Sequence, residues 1–94
     1  MIIIQKNDNE LIVKGHANQS IHGRDIVCAA VSTAIIMTIN QIELFSKLDK
    51  IEYVMDEGFF KIKKIENDSD VSLIIKNLEF TLENLKEQYP KYIK

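Results

Sequence analysis

The sequence predicts an α/β domain of the α+β kind, built in two layers and ordered β-β-α-β-β-α. Two helices are expected on one face of a mainly antiparallel sheet. Three observations lead there. Short β-branched or aromatic runs come in pairs around Asn, Asp and Gly turns, one long apolar run separates the pairs, and one amphipathic run closes the chain. At 94 residues there is enough chain for one core and not for two, so residues 1–94 are read as a single domain. No internal repeat, linker or low-complexity segment interrupts it.

Ile2, Ile3 and Ile4 start the first strand, and Lys6-Asn7-Asp8-Asn9 supplies the turn chemistry. Leu11, Ile12 and Val13 return as the second strand and run into Gly15. The long helix is expected to start behind Asp25 as N-cap and to end near Ser46 or Lys47. Val27, Val31, Ile35, Ile39 and Ile42 mark one face of it, but Ile26, Ala29, Ala30, Ile36 and Met37 are apolar elsewhere. A helix apolar nearly all round is covered on more than one side, by the sheet and by a second helix or a second subunit. Ile51, Tyr53 and Val54 form a third strand, Asp56-Glu57-Gly58 a turn, and residues 59–65 a fourth strand. Asn67-Asp68-Ser69-Asp70 caps a last helix with the stripe Val71, Ile74, Ile75, Leu78, Leu82 and Leu85, which Pro90 stops.

The balance of 46% apolar and 28% charged residues is that of an ordinary soluble globular protein. A net charge of −2 argues against a nucleic-acid backbone or an anionic membrane as partner. Lys61, Lys63 and Lys64 are read as a solvated strand edge. A single cysteine allows no intramolecular disulfide, and no signal peptide is recognisable at the start of the chain. The apolar run 26–39, broken by Ser32, Thr33 and Thr38, falls short of the ~20 residues of a membrane span. The expected compartment is the cytoplasm.

The chemistry concentrates between Gly15 and Ser32. A thiol becomes a strong nucleophile as the thiolate, which a helix N-terminus and a nearby imidazole both favour. With Asp25 as cap, Cys28 takes the third helical position, where backbone amides are unpaired. His16 and His22 compete as its base, and spacing does not decide between them. Asp25 is read as a cap, with orienting the histidine as its other role. Its carboxylate opposes thiolate formation, so the helix dipole, an imidazolium and Arg24 have to outweigh it. Ala17, Asn18, Gln19, Ser20, Ile21, His22 and Gly23, with Gly15 ahead of them, form a loop expected to be mobile and to close over a ligand. The competing reading of Cys28 is an inert, packed side chain. His16, His22 and Cys28 lack the paired spacing of a zinc site, so no metal is expected. No phosphate-binding or dinucleotide fingerprint is present either, and no cofactor is expected.

Gly15-His16-Ala17, then Gly23, then Asp25-Ile26-Val27-Cys28-Ala29-Ala30-Val31-Ser32 closely resembles the signature of the bacterial ribosomal-processing cysteine protease family, Prp. Residues 52–60 (EYVMDEGFF) and 85–93 (LKEQYPKYI) are similar to that family as well, so the resemblance covers nearly the whole chain. It implies a small homodimeric cysteine protease. Such a protease removes a short N-terminal extension from large ribosomal subunit protein twenty-seven, cutting after an aromatic residue. By position, the resemblance makes Cys28 the nucleophile and His16, rather than His22, its base. Ser20 and His22 depart from the small or variable residues expected in the loop. The reaction expected is peptide hydrolysis through a thioester acyl-enzyme. The Cys28 amide, put at the helix N-terminus by the Asp25 cap, is the expected oxyanion donor, with an amide or side chain of the 17–23 loop beside it. The partners implied are that ribosomal N-terminal peptide and a second copy of the chain. The alternative is a non-enzymatic ribosome- or peptide-binding module of the same fold, with Cys28 structural.

Overall fold

The computed structural model describes residues 1–15 and 21–94, and for 21–25 the backbone only. Four strands and two long helices follow one another as β1 (Ile2–Lys6), β2 (Glu10–Gly15), α1 (Ile21–Leu44), β3 (Ile51–Asp56), β4 (Phe59–Lys64) and α2 (Ser69–Gln88). The strands form one antiparallel sheet in the order β1-β2-β4-β3.

Side chains alternate across a pleated sheet, so the register sorts them into two faces. Ile4 pairs with Val13, Val13 with Phe60, Leu11 with Ile62, and Ile62 with Tyr53. Ile2, Leu11, Val13, Ile51, Phe60 and Ile62 therefore share the face that is buried under the helices. Lys61 and Lys63 lie on the open face of β4, where Lys61 pairs with Glu10 at 3.3 Å. β4 is an inner strand, so the lysine cluster is not a strand edge, contrary to the sequence expectation.

The two edges of the sheet differ. Along β1, the Ile2 amide donates to Tyr92 O at 2.8 Å, Lys94 N to Ile2 O at 2.7 Å, and Ile4 N to Lys94 O at 2.9 Å. The C-terminal residues thus close that edge. β3 forms the other edge, and every residue of it after Ile51 is exposed.

α1 buries the expected stripe of Val27, Val31, Ile35, Ile39 and Ile42, and α2 buries Val71, Ile75, Leu78 and Leu82. By length and composition 26–44 is long and apolar enough to cross a membrane, yet this stripe belongs to the core of the domain. Its end is a Schellman closure: Lys47 N donates to Ile42 O at 3.0 Å and Ser46 N to Glu43 O at 2.8 Å, with Ser46 at φ 60. Lys47 then ties the two helices together, its Nζ lying 2.9 Å from both Asp68 and Asp70. Asp68 is the N-cap of α2, accepting from Val71 N at 3.0 Å. The Lys47 ammonium first, and the Val71 amide second, hold the Asp68 carboxyl below its usual value.

The start of α1 differs from expectation. The helix begins at Ile21, so Asp25 lies inside it and is not its N-cap, and Ile21, His22 and Gly23 are helical rather than loop. Propagating a helix already nucleated by a long downstream segment costs little, which carries it across Gly23. His16 and the rest of the expected loop, Ala17, Asn18, Gln19 and Ser20, lie outside the described residues.

Candidate active site

Cys28 is a free thiol, half-buried, on the side of α1 that faces the tip of the β3–β4 hairpin. It lines a groove of about 360 Å³. Cys28, Ser32, Ile35 and Ile36 form the helical wall, and Met55, Asp56, Glu57, Gly58 and Phe59 the opposite wall. Ile2, Val13 and Phe60 lie beneath, and Gly15 closes one end. The lining is largely apolar, with two carboxylates on one rim.

Two glycines shape the closed end. Gly58 turns the hairpin at φ 73, and its carbonyl accepts from the Gly15 amide at 2.9 Å. Gly15 sits at φ 99, where a side chain is strained, and a Cβ there would overlap the Met1 carbonyl. No other residue fits at the mouth of β2, immediately before His16.

Cys28 stands in the third turn of α1, not the first. Its amide is therefore part of the intrahelical ladder and not among the unpaired donors of the helix start. The expectation that it serves as an oxyanion donor rested on a helix capped at Asp25 and falls with that cap. The field of a helix terminus also fades within the first turn, so Cys28 receives little from it. The side chains of His22, Arg24 and Asp25, like His16, lie outside what is described. Among the described residues no group of His, Cys, Asp and Glu is placed to hold a metal ion.

Sequence reasoning located Cys28 and Gly15 but not the far wall. Met55, Asp56, Glu57 and Phe59 come from a hairpin distant in sequence. Their only signal was the likeness of the EYVMDEGFF segment to the Prp family.

With a single free cysteine set in a peptide-sized groove, comparison with known proteins becomes informative. The sequence profile of the family "Cysteine protease Prp" matches residues 1–94. This chain belongs to the Prp family of cysteine proteases. It is 31% identical over 87 residues to the ribosomal processing cysteine protease Prp of Staphylococcus aureus, covering 90% of this chain and 82% of that protein. It is 32% identical over 95 residues to the Prp of Mycoplasma genitalium, covering 99% and 92%. Its fold superposes on the crystal structure of S. aureus Prp in complex with a covalently linked product peptide. The TM-score is 0.81, with 27% identity and coverage of 99% of this chain and 93% of that one. The fold is the Prp fold, and the protein is a cysteine protease.

Proposed function

We propose that this protease removes the N-terminal extension of large ribosomal subunit protein twenty-seven in the cytoplasm, with Cys28 as nucleophile and His16 as its base. The observation that carries the reading is the half-buried Cys28 thiol on the wall of the groove, with Gly15, the residue before His16, at the end of the same groove. Membership of a family whose S. aureus relative has been solved with a covalently linked product peptide supports a peptide substrate. In this reading His16 takes the Cys28 proton and the thiolate attacks the scissile carbonyl. The resulting imidazolium protonates the departing amine, and water then hydrolyses the thioester to free enzyme and acid. The apolar walls from Ile36, Met55 and Phe59 suit an aromatic side chain beside the cut.

A homodimer is part of the proposal. Ile26, Met37 and Leu44 on α1, Phe45 just after it and Phe80 on α2 remain exposed after the fold has formed, Met37 to 57% and Phe80 to 60%. An apolar surface of this kind favours association. Light scattering at micromolar concentration checks it, and a monomer there rejects it.

The deciding experiment is cleavage of a peptide spanning the host ribosomal protein's N-terminal extension by wild type, Cys28→Ser and His16→Ala in parallel. Cutting at one bond by wild type, lost in both variants, is the expected result. Activity retained in His16→Ala with loss in His22→Ala would move the base to His22. A wild type that binds the peptide without cutting it would reject the substrate assignment.

A further inference from the structure

The edge of β3 is the one structural resource of the described sheet that the fold leaves unused. Opposing residues in an antiparallel pair alternate between hydrogen-bonded and non-bonded. The two-residue turn Glu57-Gly58 makes Asp56 and Phe59 the closing pair, which is a bonded one. The amide of Ile65 donates to Lys50 O at 3.0 Å at the other end, in the same phase. Glu52, Val54 and Asp56 therefore spend their backbone groups on β4, whereas Tyr53 and Met55 turn theirs outward. Among the described residues nothing bonds to them. The β1 edge, by contrast, is closed by Tyr92 and Lys94. Natural edges are usually blunted by charge, proline or a covering segment; here charge stands only at the two ends, Glu52 and Asp56, and Tyr53, Val54 and Met55 between them are all more than 40% exposed.

This edge is continuous with the groove, since Met55 and Asp56 belong to both. We propose that an extended peptide substrate binds as a fifth strand on β3, bonded to the backbone of Tyr53 and Met55, and is led by that pairing into the groove beside Cys28. The proposal rests on the protease reading and adds the way the substrate is held. Main-chain pairing of this kind supplies affinity that is indifferent to side chains, and the groove adds selectivity at the cut.

Charge favours a peptide over a second copy of this chain. Glu52, Asp56 and Glu57 are exposed along the edge, and no cation lies between Ile51 and Gly58. Two copies pairing through both Tyr53 and Met55 would set Glu52 of one opposite Asp56 of the other, and like charges directly opposite destabilise a strand pair. A neutral or basic peptide meets no such penalty.

The test uses the peptide spanning the ribosomal protein's N-terminal extension, synthesised as a series with one backbone N-methyl group at each successive position. Methylation removes a donor and blocks pairing. Cleavage by the wild-type protein should fall about tenfold at alternate positions and change little at those between, over the segment paired with β3. A loss confined to the bonds flanking the cut, or equal at every position, would overturn the proposal. In parallel, amide hydrogen exchange of Cys28→Ser should slow at Tyr53 and Met55 when unmethylated peptide is added. Slowing without any cleavage by wild type would sink the substrate assignment while leaving the docking edge standing. Protection that rises with protein concentration and needs no peptide would show that a second copy occupies the edge, and would overturn the proposal.

Discussion

Gly15→Ala tests how the closed end of the groove is built. The backbone there holds φ 99, and a Cβ would overlap the carbonyl of Met1. A non-glycine residue at positive φ costs about 1–2 kcal/mol. The overlap is with backbone, which cannot swing aside as a side chain would, and forcing atoms into a packed region typically adds about 1–3 kcal/mol. The sum is about 2–5 kcal/mol, an appreciable part of the ~5–15 kcal/mol that holds a domain folded. For a chain of this length each kcal/mol moves the midpoint by about 4–8 °C, so thermal unfolding followed by circular dichroism should show a drop of about 10 °C or more. Peptide cleavage, measured well below that midpoint, should fall as well, because Gly15 leads directly into His16, the proposed base. A midpoint within about 2 °C of wild type would refute the steric argument. A normal midpoint with lost cleavage would leave Gly15 a role in the site alone.

Two further predictions concern the join between the helices. Ser46 closes α1 at φ 60, a conformation glycine adopts without penalty. Ser46→Gly should therefore stabilise the fold by about 0.5–1 kcal/mol, read as a raised denaturation midpoint, and a lowered one would mean that the serine side chain holds the cap. Lys47 and Asp68 set a pH dependence. The carboxyl of Asp68 is held below its usual value by Lys47 and the Val71 amide, so its contribution is complete above the ordinary carboxylate range and is lost as pH falls through the depressed value. The Lys47 ammonium is raised by its bonds to Asp68 and then Asp70, so its contribution is complete below 10.5 and is lost as pH rises through the raised value. Melting curves across the acid range should show Lys47→Met flattening that loss, and an unchanged acid limb would sink the coupling.

The layers of this fold were legible because each rests on a period. Leu11 and Val13 alternate at two, and Val71, Ile75, Leu78 and Leu82 recur at the helical spacing; all are buried. What the chain does not announce is the order of the strands. Lys61, Lys63 and Lys64 read as an edge because lysine protects edges, but the order β1-β2-β4-β3 makes β4 an inner strand and puts two of the three on the open face. Strand order is set by long-range pairing, which no local pattern encodes. The start of α1 departs from the sequence expectation for a similar reason. Asp25 has the chemistry of a cap, worth about 1 kcal/mol, and Gly23 costs a comparable amount within a helix. Both local preferences oppose a helix that starts before Asp25, yet the long helix anchored by Val27, Val31 and Ile35 extends past both.

That extension changes what has to activate Cys28 in the proposed reaction. A cysteine in the first turn would draw on the positive end of the helix, but the effect fades within one turn and Cys28 stands in the third. The described residues that line the groove with it include the carboxylates Asp56 and Glu57 and no cation. If Cys28 is the nucleophile, a cationic partner has to supply what the helix end does not, and an imidazole is the partner that works near neutral pH. The rate of alkylation of Cys28 by iodoacetamide near pH 7 reads this without any substrate. Free thiols are only a few per cent ionised there, so pairing with an imidazolium speeds the reaction by about tenfold or more. His16→Ala should remove that gain, while His22→Ala should leave it in place. Equal rates in wild type and His16→Ala, with a slow reaction in His22→Ala, would transfer the role to His22. Equal and fast rates in all three would mean that neither histidine ionises the thiol, and the Cys28–His16 pairing would have to be abandoned.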